Sequence, residues 1–418
     1  MSNFSRKEKI VAKILSNMPV VKAFIKQNYQ ILNYLFYKKS YRQKSLYKIS
    51  KVDPSSDSTF FGYYDKAPES VDGKKVIYFK TSYETSKPPN PNHPVEIILK
   101  YIKTGEITVV DKSFSYNWQQ GAKLMWLSND KFIFNKYCGE SKKYYSRIYN
   151  INSKSFENLN LPIYDCYKDE FALTLNFNRL MEMRPDYGYR NYKETIDYEK
   201  YNFDGIFRLS LKTNDSHLLI SIYDLIKHKH CPSMDGAKHK VNHIMISPDG
   251  KRFMFMHRWL SKFGKRIDRL LVSDAVSGNF KIIADDEMVS HCCWKDNDTI
   301  VGYMRHNKED GFYEIDLKNL STKLLSKKLK TFNDGHPTFQ TKYMVFDSYP
   351  DRSRMKKLFI YNSDNDSVMT IGEFFEPLKF DKECRCDLHP RFNNNKIYFD
   401  SVHEGYRSMY YLEFTKKK

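Results

Sequence analysis

Four histidines, His243, His291, His336 and His389, follow one another at intervals of 48, 45 and 53 residues, each near the start of a similar phrase. Farther along the same phrases come His257-Arg258, Arg305-His306, Asp351-Arg352 and the group His403, Glu404 and Arg407. Neutral imidazoles that converge can hold a transition metal such as Mn, Fe, Zn or Ni. Arginines beside them supply planar forks for carboxylate or phosphate. An acid in their company, Asp65 or Glu404, is a candidate general base. The alternative is structural: each histidine caps its own strand by bonding a neighbouring backbone.

The phrase itself shows what would position these groups. It opens on Gly or His, continues as an apolar strand, turns at a polar cluster and returns as a second apolar strand. NHIMISPDGKRFMFMHRW (from Asn242), SHCCWKDNDTIVGYMRHN (Ser290), GHPTFQTKYMVFDSYPDR (Gly335) and LHPRFNNNKIYFDSVHEGYR (Leu388) are clear copies. FGYYDKAPESVDGKKVIYFKTSY (Phe61) and QGAKLMWLSNDKFIFNKY (Gln120) are weaker, and LNFNRLMEMRPDYGYR (Leu175) is weakest. Anchored at Gly62, Gly121, Asn176 and the four histidines, the repeat averages about 54 residues, one four-stranded blade with insertions. The sequence therefore predicts an all-β protein, a seven-bladed β-propeller with a short N-terminal α-helical arm. Only about three strands remain after His389, and Ser45–Val52 is predicted to close the last blade and remove its open edge. The division is a basic amphipathic arm over 1–44 and a propeller over 45–418.

In such a blade the start of the first strand and the end of the second share one face of the disc. That face is expected to gather Tyr64, Asp65 and Lys66 with His243, His257, Arg258, His291, Arg305, His336, Arg352, His389, His403, Glu404 and Arg407. The Tyr-rich stretch Asp186–Gly205 reads as an insertion over the same face, for stacking on sugar rings or for plain packing.

Charge is uneven. The chain of 418 residues has formal charge +19, and residues 1–52 hold twelve Lys/Arg against the single acid Glu8. Apolar residues recur there at helical spacing (Ile10 and Ile14, then Val21, Ile25, Leu32 and Phe36), predicting two short amphipathic helices that break near residue 18. Lysines opposite an apolar stripe suit an anionic membrane surface, or else packing on the chain's own domain or on a second subunit. No nucleic-acid reader motif accompanies the charge. Seven cysteines without metal spacing argue against a disulfide framework and predict a cytoplasmic protein, peripheral at the inner face of the membrane.

SPDG (Ser247–Gly250), GHPTF (Gly335–Phe339), DSYPDR (Asp347–Arg352) and DLHPRF…FDSVHEGYR (Asp387–Arg407) resemble the oligogalacturonate lyase family and, more loosely, propeller repeats of the Tol type. FGYYDKAP (Phe61–Pro68) and the C-terminal DLHPRF–HEG pair resemble proteins of bacterial capsule and O-antigen clusters labelled glycosyltransferases. The lyase resemblance implies a Mn-type divalent metal held by channel histidines and a glutamine. His336 and His389 match that pattern, His291 is a further candidate, and Asp387 stands where the glutamine is missing. Two enzymatic expectations follow. The leading one is surface-polysaccharide synthesis, glycosyl transfer from a nucleotide sugar to a lipid-linked glycan at the membrane. The alternative is metal-dependent β-elimination of acidic glycans, with Arg258, Arg352 or a lysine taking the C5 proton. A propeller that only binds glycan is the third.

Overall fold

The computed structural model describes residues 19–414. The predicted helix around Ile10 and Ile14 lies outside the described residues. Among the described residues seven antiparallel sheets form the seven blades of a β-propeller. Blades 1 to 5 span 58–113, 125–159, 165–221, 238–284 and 289–324. Blade 6 takes four strands from 338–375 and a fifth, Gln43–Ser45, beside Ser367–Phe375. Blade 7 takes three strands from 391–413, and Ile49–Lys51 pairs with Ser408–Glu413 as its outer strand. The N-terminal stretch thus edges two adjacent blades.

Near-continuous apolar runs such as Val76–Phe79, Phe132–Phe134 and Phe253–Met256 make the second strands, each buried on both sides between neighbouring blades. Where such a strand ends, a polar residue stitches it to the next blade. In FIFN, Asn135 Oδ1 accepts from the Ile163 N–H at 2.7 Å. In MVFD, Asp347 accepts from the His389 N–H at 3.0 Å, and in IYFD, Asp400 accepts from the Gly62 N–H at 3.0 Å. These acceptors fix the height of the next inner strand, and two of them hold the strands that line the site.

The weak repeat at Leu175 is not a strand pair. Blade 3 has its inner strand upstream at Asp165–Tyr167, and Asn176 instead caps the short helix Phe177–Met183 by accepting from the Asn178 and Arg179 amides. Residues 175–204 join the second and third strands of that blade, a connection that lies on the mouth face.

Two buried histidines away from the axis give the fold an acid limit. Burial pushes His239 and His403 down to about 4. A base whose folded pKa is depressed stabilises fully above its unfolded value near 6.5 and loses that contribution as pH falls toward the folded value. Each therefore withdraws on the order of 3 kcal/mol between about pH 6.5 and 4. Denaturant titrations at neutral pH and near pH 5 are expected to show a clear loss of stability. A flat profile over that range would contradict the burial of these rings.

Candidate metal and carbohydrate site

The four histidines sit in irregular stretches of the inner strands, where the chain departs from simple alternation. Lys238–Ile246 in blade 4 shifts register between Asn242 and Met245, and Val289–Trp294 in blade 5 shifts between Val289 and Cys292. His243 and His291 lie in those bulges. His336 and His389 each stand two residues before a three-residue inner strand, Thr338–Gln340 and Arg391–Asn393. His243 and His389 have left-handed backbones, with φ of 52° and 45°. A bulge re-aims a side chain, and here it turns imidazoles to the axis.

The result is a tight cluster. The rings of His291 and His336 are 4.0 Å apart, those of His336 and His389 4.3 Å, and His243 lies 5.9 Å from His291. Tyr63 and Tyr64 fill the blade 1 side, 5.0 Å from His389 and 5.3 Å from His336 respectively. None of the four histidines is more than 5% exposed.

Partners on one nitrogen fix which proton each ring carries. His389 Nδ1 is 2.9 Å from the Gly62 carbonyl, which can only accept, so Nδ1 holds the hydrogen. His336 Nδ1 meets the Asp347 carboxylate at 2.8 Å, and His291 Nδ1 meets Asp334 at 2.9 Å. The Nε2 atoms of His336 and His389 are left buried without a hydrogen-bond partner. Two imidazoles anchored at Nδ1 with unpartnered Nε2 atoms are the pattern of metal ligands oriented from behind. His336, His389 and Asp387 can each offer a donor atom, all within 4.8 Å of one another. The residues present therefore fit a divalent cation of the Mn or Zn type.

Asp387 is tied down more firmly than its neighbours. Lys356 Nζ donates to Oδ1 at 3.0 Å and Arg385 Nε to Oδ2 at 2.7 Å. Burial would push its carboxyl up, but Lys356, Arg385 and the two histidines hold it well below the usual carboxylate range. It stays ionised, and each oxygen keeps a second lone pair for a cation.

The mouth is lined by paired arginines and covered. Lys240, 5% exposed and cross-strand from Arg258, is pushed far below the ordinary lysine range by burial, with Arg258 and Arg184 adding repulsion. The insertion of blade 3 folds over the opening: Tyr187 sits 5.6 Å from His243, and Asp186 pairs with Arg385 at 2.5 Å and Arg184 at 3.5 Å. Its tyrosines mostly pack, Tyr189 stacking on Phe177 at 4.5 Å. Asp186 holds the arginines with a carboxylate, the group that an acidic sugar would present.

The other expected site residues go elsewhere. Asp65 approaches Lys123 (3.8 Å) and Lys66 pairs with Asp165 (2.7 Å), and Asp165 also accepts from the Ile246 amide. Ile246 ends its inner strand, so this buried network belongs to the opposite end of the axis and Asp65 is no base for the histidine cluster. Glu404 pairs with Lys51 (2.5 Å) and Arg305 with Asp310 (2.7 Å), both partly exposed on the rim. Arg352 lies over the ring of Tyr37, 5.6 Å away. His257 is wedged between His239 (2.9 Å) and Arg269 (3.1 Å), and His403 packs on Phe374 and Tyr410 between blades 6 and 7. Arg407 binds the carbonyls of Cys384 and Arg385 under Trp118. Arg258 is near the mouth, but its guanidinium is committed to Asp268 at 2.9 Å and the Val289 carbonyl at 2.9 Å. Residues after a second strand point between blades as often as toward the axis, which separates these from the cluster.

No protein-family model matches the chain, and no curated protein aligns with it. Solved structures do resemble it. An oligogalacturonate lyase in complex with manganese superimposes with a TM-score of 0.60 at 13% identity, over 91% of this chain and 96% of that one. A second oligogalacturonate lyase, from Vibrio parahaemolyticus, gives 0.59 at 12% identity over the same shares. What is shared is the fold. These neighbours correct the leading expectation of glycosyl transfer: they are lyases, and no link to the glycosyltransferase-labelled clusters appears. The acids assigned to that reaction, Asp65 and Glu404, are also occupied away from the histidines.

Proposed function

We propose that this propeller is a metal-dependent lyase that cleaves uronide-containing glycans by β-elimination. The observation that carries the reading is the pair of buried, unpartnered Nε2 atoms on His336 and His389, oriented from behind and set below a mouth lined by arginines. His336 and His389 would hold the cation, with Asp387 as a third donor and His291 beside them. When bound, the cation neutralises the uronate carboxylate and makes the C5 proton acidic.

The chain supplies the rest. Arg184 and Arg385, now paired with Asp186, are the forks on which a second uronate carboxylate can exchange with that aspartate. Lys240, its pKa pushed well down by burial with Arg258 and Arg184 adding repulsion, takes the C5 proton in its neutral form, a role that Arg258 and Arg352 cannot fill in their present pairings. The C5–H electron pair becomes the C4=C5 double bond, the C4–O bond breaks with its electron pair on the departing sugar oxygen, and the proton that Lys240 took passes to that oxygen. Tyr63, Tyr64 and Tyr187 keep water away from these groups.

The test is direct. Purified protein with manganese and oligogalacturonides, or other uronide oligomers, is expected to release products with the near-ultraviolet absorbance of a C4=C5 unsaturated acid. Absence of such products across uronide substrates, with metal bound, would overturn the reading.

A further inference from the structure

The feature that elimination leaves unused is the N-terminal helix and the chain that follows it. Helix α1 (Pro19–Tyr37) exposes Ile25, Leu32, Leu35 and Phe36, with Leu35 56% and Phe36 82% accessible. At about 100° per residue these four lie on one side, while Tyr34, which stacks on Phe375 at 5.5 Å, points the opposite way into blade 6. Over the described side chains the helix is therefore attached at Tyr34 and exposes Ile25, Leu32, Leu35 and Phe36 on the other side. It is also pinned: Tyr41 donates to Glu373 at 2.6 Å, Arg42 lies 5.7 Å from the Phe375 ring, and Gln43–Ser45 joins the sheet.

Its charge has one sign. From Pro19 to Val52 the chain carries Lys22, Lys26, Lys38, Lys39, Arg42, Lys44, Lys48 and Lys51 and no acid at all. Lys38, Lys39, Arg42, Lys44 and Lys48 are exposed. Among the described residues no helix is long and apolar enough to cross a membrane. An exposed apolar stripe bordered by lysines and arginines, too polar to span, complements a bilayer surface bearing negative headgroups.

Position gives this a consequence for the site. The fourth strand of blade 6 runs toward the mouth face and ends at Phe375, where α1 arrives. Tyr37 and Lys39 line one cleft with Asp351, Arg352 and Ser353, and Tyr349 of that same loop is 6.0 Å from His336. We propose that α1 and the basic segment after it dock the propeller on an anionic phospholipid surface, with the histidine-lined mouth facing the lipid.

Co-sedimentation of the full chain with phosphatidylcholine vesicles, with and without phosphatidylglycerol, tests it. Binding is expected only to the vesicles containing phosphatidylglycerol, and to weaken as salt is raised. Leu32→Asp with Leu35→Asp and Phe36→Asp, all at exposed positions, is expected to lower the affinity about tenfold or more while unfolding is unchanged. Absence of binding to the anionic vesicles, or equal binding by the triple variant, overturns the proposal. So does a wild-type dimer that the triple variant dissolves without any vesicle binding, since a second copy would then cover the stripe. None of these outcomes depends on uronide cleavage.

Discussion

Replacing His336 with Ala and His389 with Asn together is expected to remove bound manganese and to lower uronide cleavage about a thousandfold or more, since a metal contributes several kcal/mol of charge stabilisation. Asn is chosen at 389 because the backbone there is left-handed, at φ 45°, which Asn tolerates and Ala does not. The fold should survive. Asp347 keeps its bonds to the main-chain N–H groups of residues 336 and 389, and Arg391 still donates to the Gly62 carbonyl. Elemental analysis read beside thermal unfolding checks both halves. Undiminished metal and cleavage in a folded double variant would mean that the two bare nitrogens serve packing alone.

Lys240→Met should cost about a hundred- to ten-thousandfold in kcat, the range for loss of a general base, while metal content stays at the wild-type level. The pH profile is the sharper readout. A lysine whose pKa is pushed down by burial is protonated, and inactive as a base, below that lowered value; it becomes a neutral amine above it. Wild-type activity should therefore rise with pH and level off well short of the ordinary lysine range. The variant should lose that limb. Lys240→Arg, which keeps the charge but stays protonated, should be as inactive as the methionine. An unchanged rising limb in Lys240→Met would transfer the role to another group.

The blade count was legible because a buried strand and its polar turn recur as a unit, and the histidines mark that unit in four blades. Three of the four, His291, His336 and His389, meet as a cluster, with His243 beside them. The second-strand ends were harder to read. His257 and Arg258 are adjacent in sequence, so alternation sends one toward Arg269 and the other toward Asp268. Bulges then defeat simple counting, because a shift of one residue turns a side chain to the other face. Asp347 was missed although a signal existed: Phe346-Asp347-Ser348 and Phe399-Asp400-Ser401 repeat the same words, and Asp347 and Asp400 each hold the next blade. Lys240 carried no signal, since its depressed pKa arises from burial, with Arg258 and Arg184 adding repulsion, and folding alone supplies both. The insertion of blade 3 hid in a false repeat because Asn176 opens a helix cap rather than a strand.

The two short strands Gln43–Ser45 and Ile49–Lys51 border sheets whose other members come from 338–413. During vectorial synthesis those first strands emerge from the ribosome long before their partners exist. Blades 1 to 5 can condense one after another as they appear, yet the ring stays open until the final segment is released. The nascent protein must therefore carry unpaired strand edges until residues 338–413 have been made, and the histidines of blades 6 and 7 are the last of the four to reach the axis. Competence to take up a metal should accordingly arise only once residues 391–413 pair with Ile49–Lys51, in the same event that locks the circle.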